Sequence, residues 1–250
     1  MATRTSTGTN RTGMDMSPAL AKELLQITRE HTPPAGDESK LARMRQDFFA
    51  STQPIGTVPP PGTMKGMAKS ALEAIKGHKP TVLIDKLGEQ LAFERTGVRL
   101  YDAVLAKFDA LGSWDGGPTR AQLEQNRDEE LAHFEMVRQH MLRLGADPTA
   151  MTPSADVAAV IASGVLKTIT DARTTLSQAL QALLVAERAD LEGWQALIQL
   201  AEELGHDEMA DDFRAAEEAE ERHGAWVRQW LGAGMLKDAK RELRKSPGKS

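Results

Sequence analysis

Four stretches of the chain place apolar residues at alternating steps of four and three, the spacing of one helix face aimed at a core. In the first, Leu87, Leu91, Glu94, Val98, Tyr101, Leu105 and Phe108 share a face, which predicts a long helix from Thr81. The second runs from about Arg120 to Leu144 with Leu123, Glu130, Val137, Met141 and Leu144 aligned, and Gly145 ends it. The third begins near Thr174 and aligns Leu176, Leu180, Leu183, Glu187, Leu191, Trp194, Ile198 and Ala201. The short turn Leu204-Gly205-His206-Asp207 leads into the fourth, which aligns Met209, Phe213, Ala216, Glu220, His223, Val227 and Trp230. Gly232 and Gly234 are expected to end it. Each apolar face is broken near its middle by a glutamate: Glu94, Glu130, Glu187 and Glu220. Four carboxylates facing one another in an apolar interior are costly. Such an interior tolerates them when cations neutralise them or when several stay protonated.

The connection over residues 145–173 is long and holds Asp147-Pro148, Thr152-Pro153 and a short helix predicted from Ser154 to Lys167. That length suits a crossover between helices that do not follow each other antiparallel. The fold expected for 81–233 is therefore an all-α four-helix bundle with a long crossover between its second and third helices. Before it lies an extended N-terminal arm, residues 1–80. Residues 1–16 read as disordered. Ser17 and Pro18 open a helix to about His31, and a second weak helix is predicted from Glu38 to Ala50. A Pro-rich linker with polyproline character spans Thr52 to Thr63, and a short amphipathic helix is predicted from Met64 to Lys76. Residues 234–250 form a basic tail, expected as a frayed helix that gives way to disorder after Pro247.

Composition narrows the chemistry. The chain has no cysteine, which excludes disulfides, thiolate catalysis, iron–sulfur clusters and cysteine zinc sites. A bound metal would need oxygen and imidazole ligands. The net charge of −5 hides a segregation. By count, residues 1–80 carry 11 basic and 7 acidic side chains, residues 81–235 carry 14 and 27, and residues 236–250 carry 6 and 2. An acidic core favours cations and disfavours nucleic acid. The tail residues Lys237, Lys240, Arg241, Arg244, Lys245 and Lys249 lack interleaved aromatics and read as a solvated helix end. No apolar run reaches the ~20 residues that cross a bilayer, and no apolar segment follows the first ten residues as in a secretory signal. The expectation is a cytoplasmic protein with no membrane partner.

Two of the four buried glutamates stand three residues before a histidine: Glu130-Leu-Ala-His133 and Glu220-Glu-Arg-His223. On a helix, i and i+3 share a face, so each pair offers a carboxylate and an imidazole to one point. Alone the motif is weak. With 20 Glu and 6 His, chance supplies about one match, and Glu203-Leu-Gly-His206 is a third, discounted because Gly205 interrupts it at a helix end. The arrangement is more specific. A lone Glu94 precedes Glu130, a lone Glu187 precedes Glu220, and each lone Glu is followed seven residues later by an aromatic, Tyr101 or Trp194. Four carboxylates and two imidazoles are the ligand set of di-iron and di-manganese bundle proteins.

On these residues the segment 81–233 resembles the ferritin-like superfamily, which includes ferritins, rubrerythrins and manganese catalases. The run Glu94-Arg-Thr-Gly-Val-Arg-Leu-Tyr101 is similar to the family's Glu followed by Tyr, and Glu129-Glu130-Leu-Ala-His133 is similar to its Glu-Glu-x-x-His. The second half departs, with Trp194 for Tyr and Ala219 before Glu220. The chain also resembles bacterial ferritin-like proteins with a Pro-rich N-terminal arm. The resemblance implies that Glu94, Glu130, His133, Glu187, Glu220 and His223 bind two metal ions, Fe first and Mn second. Glu130 with either Glu187 or Glu220 would bridge them. Asp190 is a further carboxylate or an ordinary polar helix residue, and Tyr101 is a redox-active or supporting hydroxyl or a core residue with one hydrogen bond. The implied activity is oxidoreduction with O₂, H₂O₂ or Fe(II), as ferroxidase, peroxidase or catalase, with an external electron donor and a homo-oligomer in view. Other readings are a non-catalytic interaction or stress-response bundle with a structural metal, and a bundle without metal.

Overall fold

In the computed structural model the described residues are 17–32, 36–53, 57–59 and 81–245. They form helices and connections only, with no strand among the described residues. The chain divides into two compact units, Thr3–Pro54 and a larger one holding Ile55–Ser250. The smaller unit contains α1 (Pro18–Glu30) and α2 (Ser39–Ser51), close to the predicted spans. Ser17 occupies the N-cap of α1 without a capping hydrogen bond, so Pro18 alone marks that start. Neither helix buries a residue. The predicted helix 64–76 lies outside the described residues, as does most of the Pro-rich linker.

The larger unit holds α3 (Thr81–Leu111), α4 (Arg120–Leu144), α5 (Pro153–Thr170), α6 (Leu176–Glu203) and α7 (Asp207–Lys245). Local chemistry sets their ends. Thr119 and Thr175 each close a capping box, with Gln122 and Gln178, satisfying backbone groups that the first helical turn leaves unpaired. Gly145 takes the left-handed conformation that ends α4, and Gly205 does so in the α6–α7 turn. The pairs α3–α4 and α6–α7 pack as helix pairs, α3 lies against α6 and α4 against α7. The crossover carries α5, which packs on both α3 and α6. Asp85 on α3 accepts hydrogen bonds from the Ser154 backbone at 3.0 Å and its hydroxyl at 2.7 Å, fixing the start of α5.

One predicted helix end is corrected. α7 does not stop at Gly232 or Gly234 but continues to Lys245. A glycine inside a helix costs only about 1 kcal/mol against alanine, and Gly234 gains by its lack of a side chain. A Cβ there would stand 3.0 Å from the Trp114 ring, which donates its Nε1–H to the Trp230 carbonyl at 3.0 Å.

The bundle core is two apolar clusters. One gathers Leu83, Leu87, Leu91, Val137, Met141, Trp194, Ile198 and Phe213, with Val58 packed against it. The other gathers Leu100, Tyr101, Leu105, Leu123, Leu180, Leu183, Val227 and Trp230. Between them in sequence, on all four long helices, lie buried charged residues. Of the predicted stripes, Val98, Phe108 and Leu191 are only half-buried.

Candidate metal centre

The charged layer comes from mid-helix positions. α3 contributes Glu94, α4 Glu130 and His133, α6 Glu187 and Asp190, and α7 Glu220 and His223, each at most 7 % exposed. All six predicted ligands and Asp190 therefore meet in one interior. Three overlapping groups have ligand atoms close enough to share a metal ion: Glu130–Glu187–Glu220–His223, Glu94–His133–Glu220, and Glu94–Glu130–Asp190–Glu220. Glu220 belongs to all three, Glu130 and Glu94 to two, and Glu187 to one. Glu220 is the one carboxylate common to both histidine groups, while Glu94 and Glu130 each join one of them to the group that holds Asp190. The discounted Glu203 and His206 enter none of them.

Both imidazoles turn Nδ1 inward. His223 Nδ1 lies 3.2 Å from Glu220 Oε2 and 3.6 Å from both Glu130 Oε1 and Glu187 Oε2. His133 Nδ1 lies 3.0 Å from Glu220 Oε1 and 3.5 Å from Glu94 Oε2, without the alignment of a hydrogen bond. Buried atoms lacking a hydrogen-bond partner concentrate here: Glu94 Oε2, Glu130 Oε2, His133 Nδ1, Glu187 Oε2 and Glu220 Oε1. A folded protein rarely leaves such atoms unmet without a ligand or ordered water to satisfy them. Oxygen and imidazole donors facing one volume fit a cation of the Fe, Mn or Zn type.

Electrostatics agree. Burial, then repulsion from the neighbouring carboxylates, pushes Glu94 and Asp190 well above their ordinary values. Burial and the charges of Glu220 and Glu130 do the same to Glu187. Burial and Glu220 also raise Glu130. Burial would raise Glu220 as well, but the His133 and His223 imidazoles beside it outweigh that and hold it at about 2. Burial would lower His223, yet Glu130 and Glu220 push it up to about 12. Burial and mutual repulsion thus hold Glu94, Glu130, Glu187 and Asp190 back from ionising, and a cation among them would relieve that penalty.

A shell of neighbours holds these groups in place. His223 Nε2 bonds Glu129 Oε2 at 2.6 Å, and Glu129 also accepts from Arg222 at 3.0 Å and Gln125 at 3.0 Å. A histidine whose outer nitrogen meets a carboxylate is fixed in tautomer and orientation toward a metal. Tyr101 donates its hydroxyl to Glu187 Oε1 at 2.7 Å and accepts from Asn126 at 2.8 Å. It is more than a core residue with one hydrogen bond. Gln90 donates to Glu94 Oε1 at 2.7 Å and to Asp190 Oδ1, joining α3 to α6. Gly97 lies directly under Glu130, whose Oε2 a Cβ would overlap.

Sequence reasoning missed Gln90, Asn126 and the role of Gly97. A signal existed for Gly97, three residues after Glu94 on the same face, where a larger residue would compete with the carboxylates. Gln90 and Asn126 are polar residues on apolar faces, four residues before Glu94 and before Glu130.

A four-helix bundle with a buried Glu/His cluster at mid-height, able to hold metal, defines the class of this protein. The family model described as Ferritin-like domain matches residues 84–235, and the chain belongs to that family. Neither the comparison with curated proteins nor that with solved structures finds a match. Among the described residues no helix is long and apolar enough to cross a membrane.

Proposed function

We propose that the chain is a di-metal carboxylate protein, with Fe as the first choice of metal and Mn as the second. Glu94, Glu130, His133, Glu187, Glu220 and His223 would hold the two ions, with Glu220 placed within reach of both histidine groups. The observation that carries this reading is the set of five buried, unpartnered ligand atoms facing one another across four helices. A pair of Fe or Mn ions held so supplies two-electron exchange with O₂ or H₂O₂.

The chain's own residues prepare that chemistry. Tyr101 and Gln90 orient Glu187 and Glu94. Glu129 fixes the ring of His223 with Nδ1 inward. The apolar clusters on either side restrict water. The substrates proposed are O₂, H₂O₂ or Fe(II), with electrons from an external donor where turnover needs them. With no cysteine in the chain, no rubredoxin-like module can supply them from within.

A second reading is a structural metal in an interaction or stress-response bundle. It is favoured by the position of the site, where one cation pair would tie together the only charged layer among the described core residues. Elemental mass spectrometry on protein grown with Fe and Mn tests the first reading. About two ions per chain are expected, and none in the Glu130→Ala/Glu220→Ala double variant. No metal after reconstitution would overturn it. Metal without peroxide or Fe(II) turnover would favour the structural reading.

A further inference from the structure

A cleft of about 350 Å³ opens between α6 and α7, lined by Glu187, Arg188, Leu191, Glu220, Gly224 and Arg228, with Glu221 and Ala225 beside them. Its floor is made of Glu187 and Glu220, both buried, and its other charged residues are exposed. It is thus a path from solvent to the buried layer. Sequence position explains why it exists. Leu191 sits on the predicted core stripe yet is only half-buried, because it walls this cleft instead of packing inward. Gly224 follows His223 and leaves the space open. A Cβ there would only reach ordinary contact, 4.0 Å from Glu187 Cβ, and any longer side chain would enter the cleft.

The charges at its mouth are the informative part. Arg228 donates Nε to the Gly224 carbonyl at 3.2 Å, which pins its side chain along the cleft wall and leaves the guanidinium's other donors available. Arg188 forms no hydrogen bond or ion pair among the described residues. Most other arginines of the bundle with described contacts are paired with acids, as Arg120, Arg127, Arg138, Arg173, Arg214 and Arg222 are. In a bundle segment so rich in acidic residues, Arg188 and Arg228 stand at one opening without an ion pair among the described residues, as Arg95 and Arg99 do elsewhere, and share the opening with Glu221. A guanidinium is suited to bidentate carboxylate recognition. The leucine and alanine of the wall suit a hydrocarbon chain, and the carboxylate floor repels an anionic head group from the deep end.

We propose that the cleft between α6 and α7 binds a small organic acid, its carboxylate on Arg188 and Arg228 and its carbon end toward Glu187 and Glu220. The chemical meaning of that placement rests on the di-metal reading, since the carbon end then faces the centre. The binding itself does not.

The test is isothermal titration of hexanoate, and of sulfate as an anion without a chain, into the full-length protein in metal-free and Mn(II)-loaded forms. Hexanoate is expected to bind with one site per chain and at least tenfold more tightly than sulfate. Arg188→Ala and Arg228→Ala are each expected to weaken hexanoate roughly tenfold or more by removing charge-assisted bonds. Both residues are exposed, so unchanged melting temperatures will show that the fold is intact. Gly224→Leu is expected to abolish binding by filling the cleft. Absence of hexanoate binding in both forms overturns the proposal. So does affinity indifferent to both arginines, or sulfate binding as tightly as hexanoate. If the chain takes up no Mn(II) but still binds hexanoate through the arginines, the cleft stands and the di-metal reading falls. If it takes up Mn(II) and ignores hexanoate, the cleft proposal falls and the di-metal reading stands.

Discussion

The two helix pairs of the bundle carry the same ligand order and support it differently. In α3–α4 the residue three after the lone Glu is Gly97, and in α6–α7 it is Asp190. The glycine makes room for the Glu130 carboxylate, while the aspartate adds another buried carboxylate to the layer. The residue seven after is Tyr101 in one pair and Trp194 in the other. The Tyr101 hydroxyl holds Glu187. Trp194 Nε1 has no partner, and its ring packs edge-on against His133 at 5.5 Å. Before the Glu-x-x-His motif stand Glu129 and Ala219. Glu129 braces His223 of the opposite pair, and alanine can give no such bond to His133. The lesson is that a repeated ligand pattern does not make two equal half-sites. The α6–α7 imidazole is the braced one, and the α3–α4 imidazole is held by packing and by the shared Glu220.

Substitutions can break this comparison in order of effect. Gly97→Ala is expected to act most strongly, because its methyl overlaps Glu130 Oε2. Metal content should fall below two ions per chain, measured by elemental mass spectrometry. An unchanged content would show that Glu130 is free to move and need not sit where it does. Glu129→Ala should follow, with a loss of roughly 10–100-fold in metal affinity typical for an outer partner of a ligating histidine. The deficit should fall on one ion of the two, seen as biphasic Mn(II) binding. Loss of both ions equally would mean that the half-sites are not distinct.

Tyr101→Phe leaves the buried Asn126 and Glu187 short of a partner and should cost about 1–3 kcal/mol in the metal-free protein. Trp194→Phe removes a donor that bonds nothing, and its loss should be the smaller, coming from volume alone. Parallel thermal melts decide, and a larger loss in Trp194→Phe would reverse the ranking of the two aromatics.

The smallest effect is the pH slope of the metal-free fold. Glu94, Glu187 and Asp190 have raised folded pKa values, so the native state holds more protons than the unfolded chain and loses stability as pH rises above about 4. His223, raised to about 12, contributes stability fully present below its ordinary value of 6.5 and lost as pH climbs toward 12. Both act in the same direction, and His223 does so throughout pH 6–9, so the metal-free melting temperature should fall over that window. Metal loading should flatten or reverse the slope, because ligands must shed protons to bind. A rising metal-free melting temperature would contradict the assigned protonation.

The sequence alone determined the helix count of the bundle, the crossover and the six Glu and His side chains that meet in its interior, because periodicity and the Glu-x-x-His spacing are local facts. The four glutamates stood out since each interrupts an apolar face. What followed from neighbours distant in the chain was out of reach. Only the tertiary structure decided that Glu220 is common to all three candidate ligand groups, since that depends on how four helices are rotated toward one another. It also decided that Glu129 backs a histidine 94 positions away and that Gln90 bonds an aspartate 100 positions away. The continuation of α7 through Gly232 and Gly234 belongs to the same class. A glycine's modest helix penalty is a local quantity, and the Trp114 ring that fits over Gly234 comes from another part of the chain.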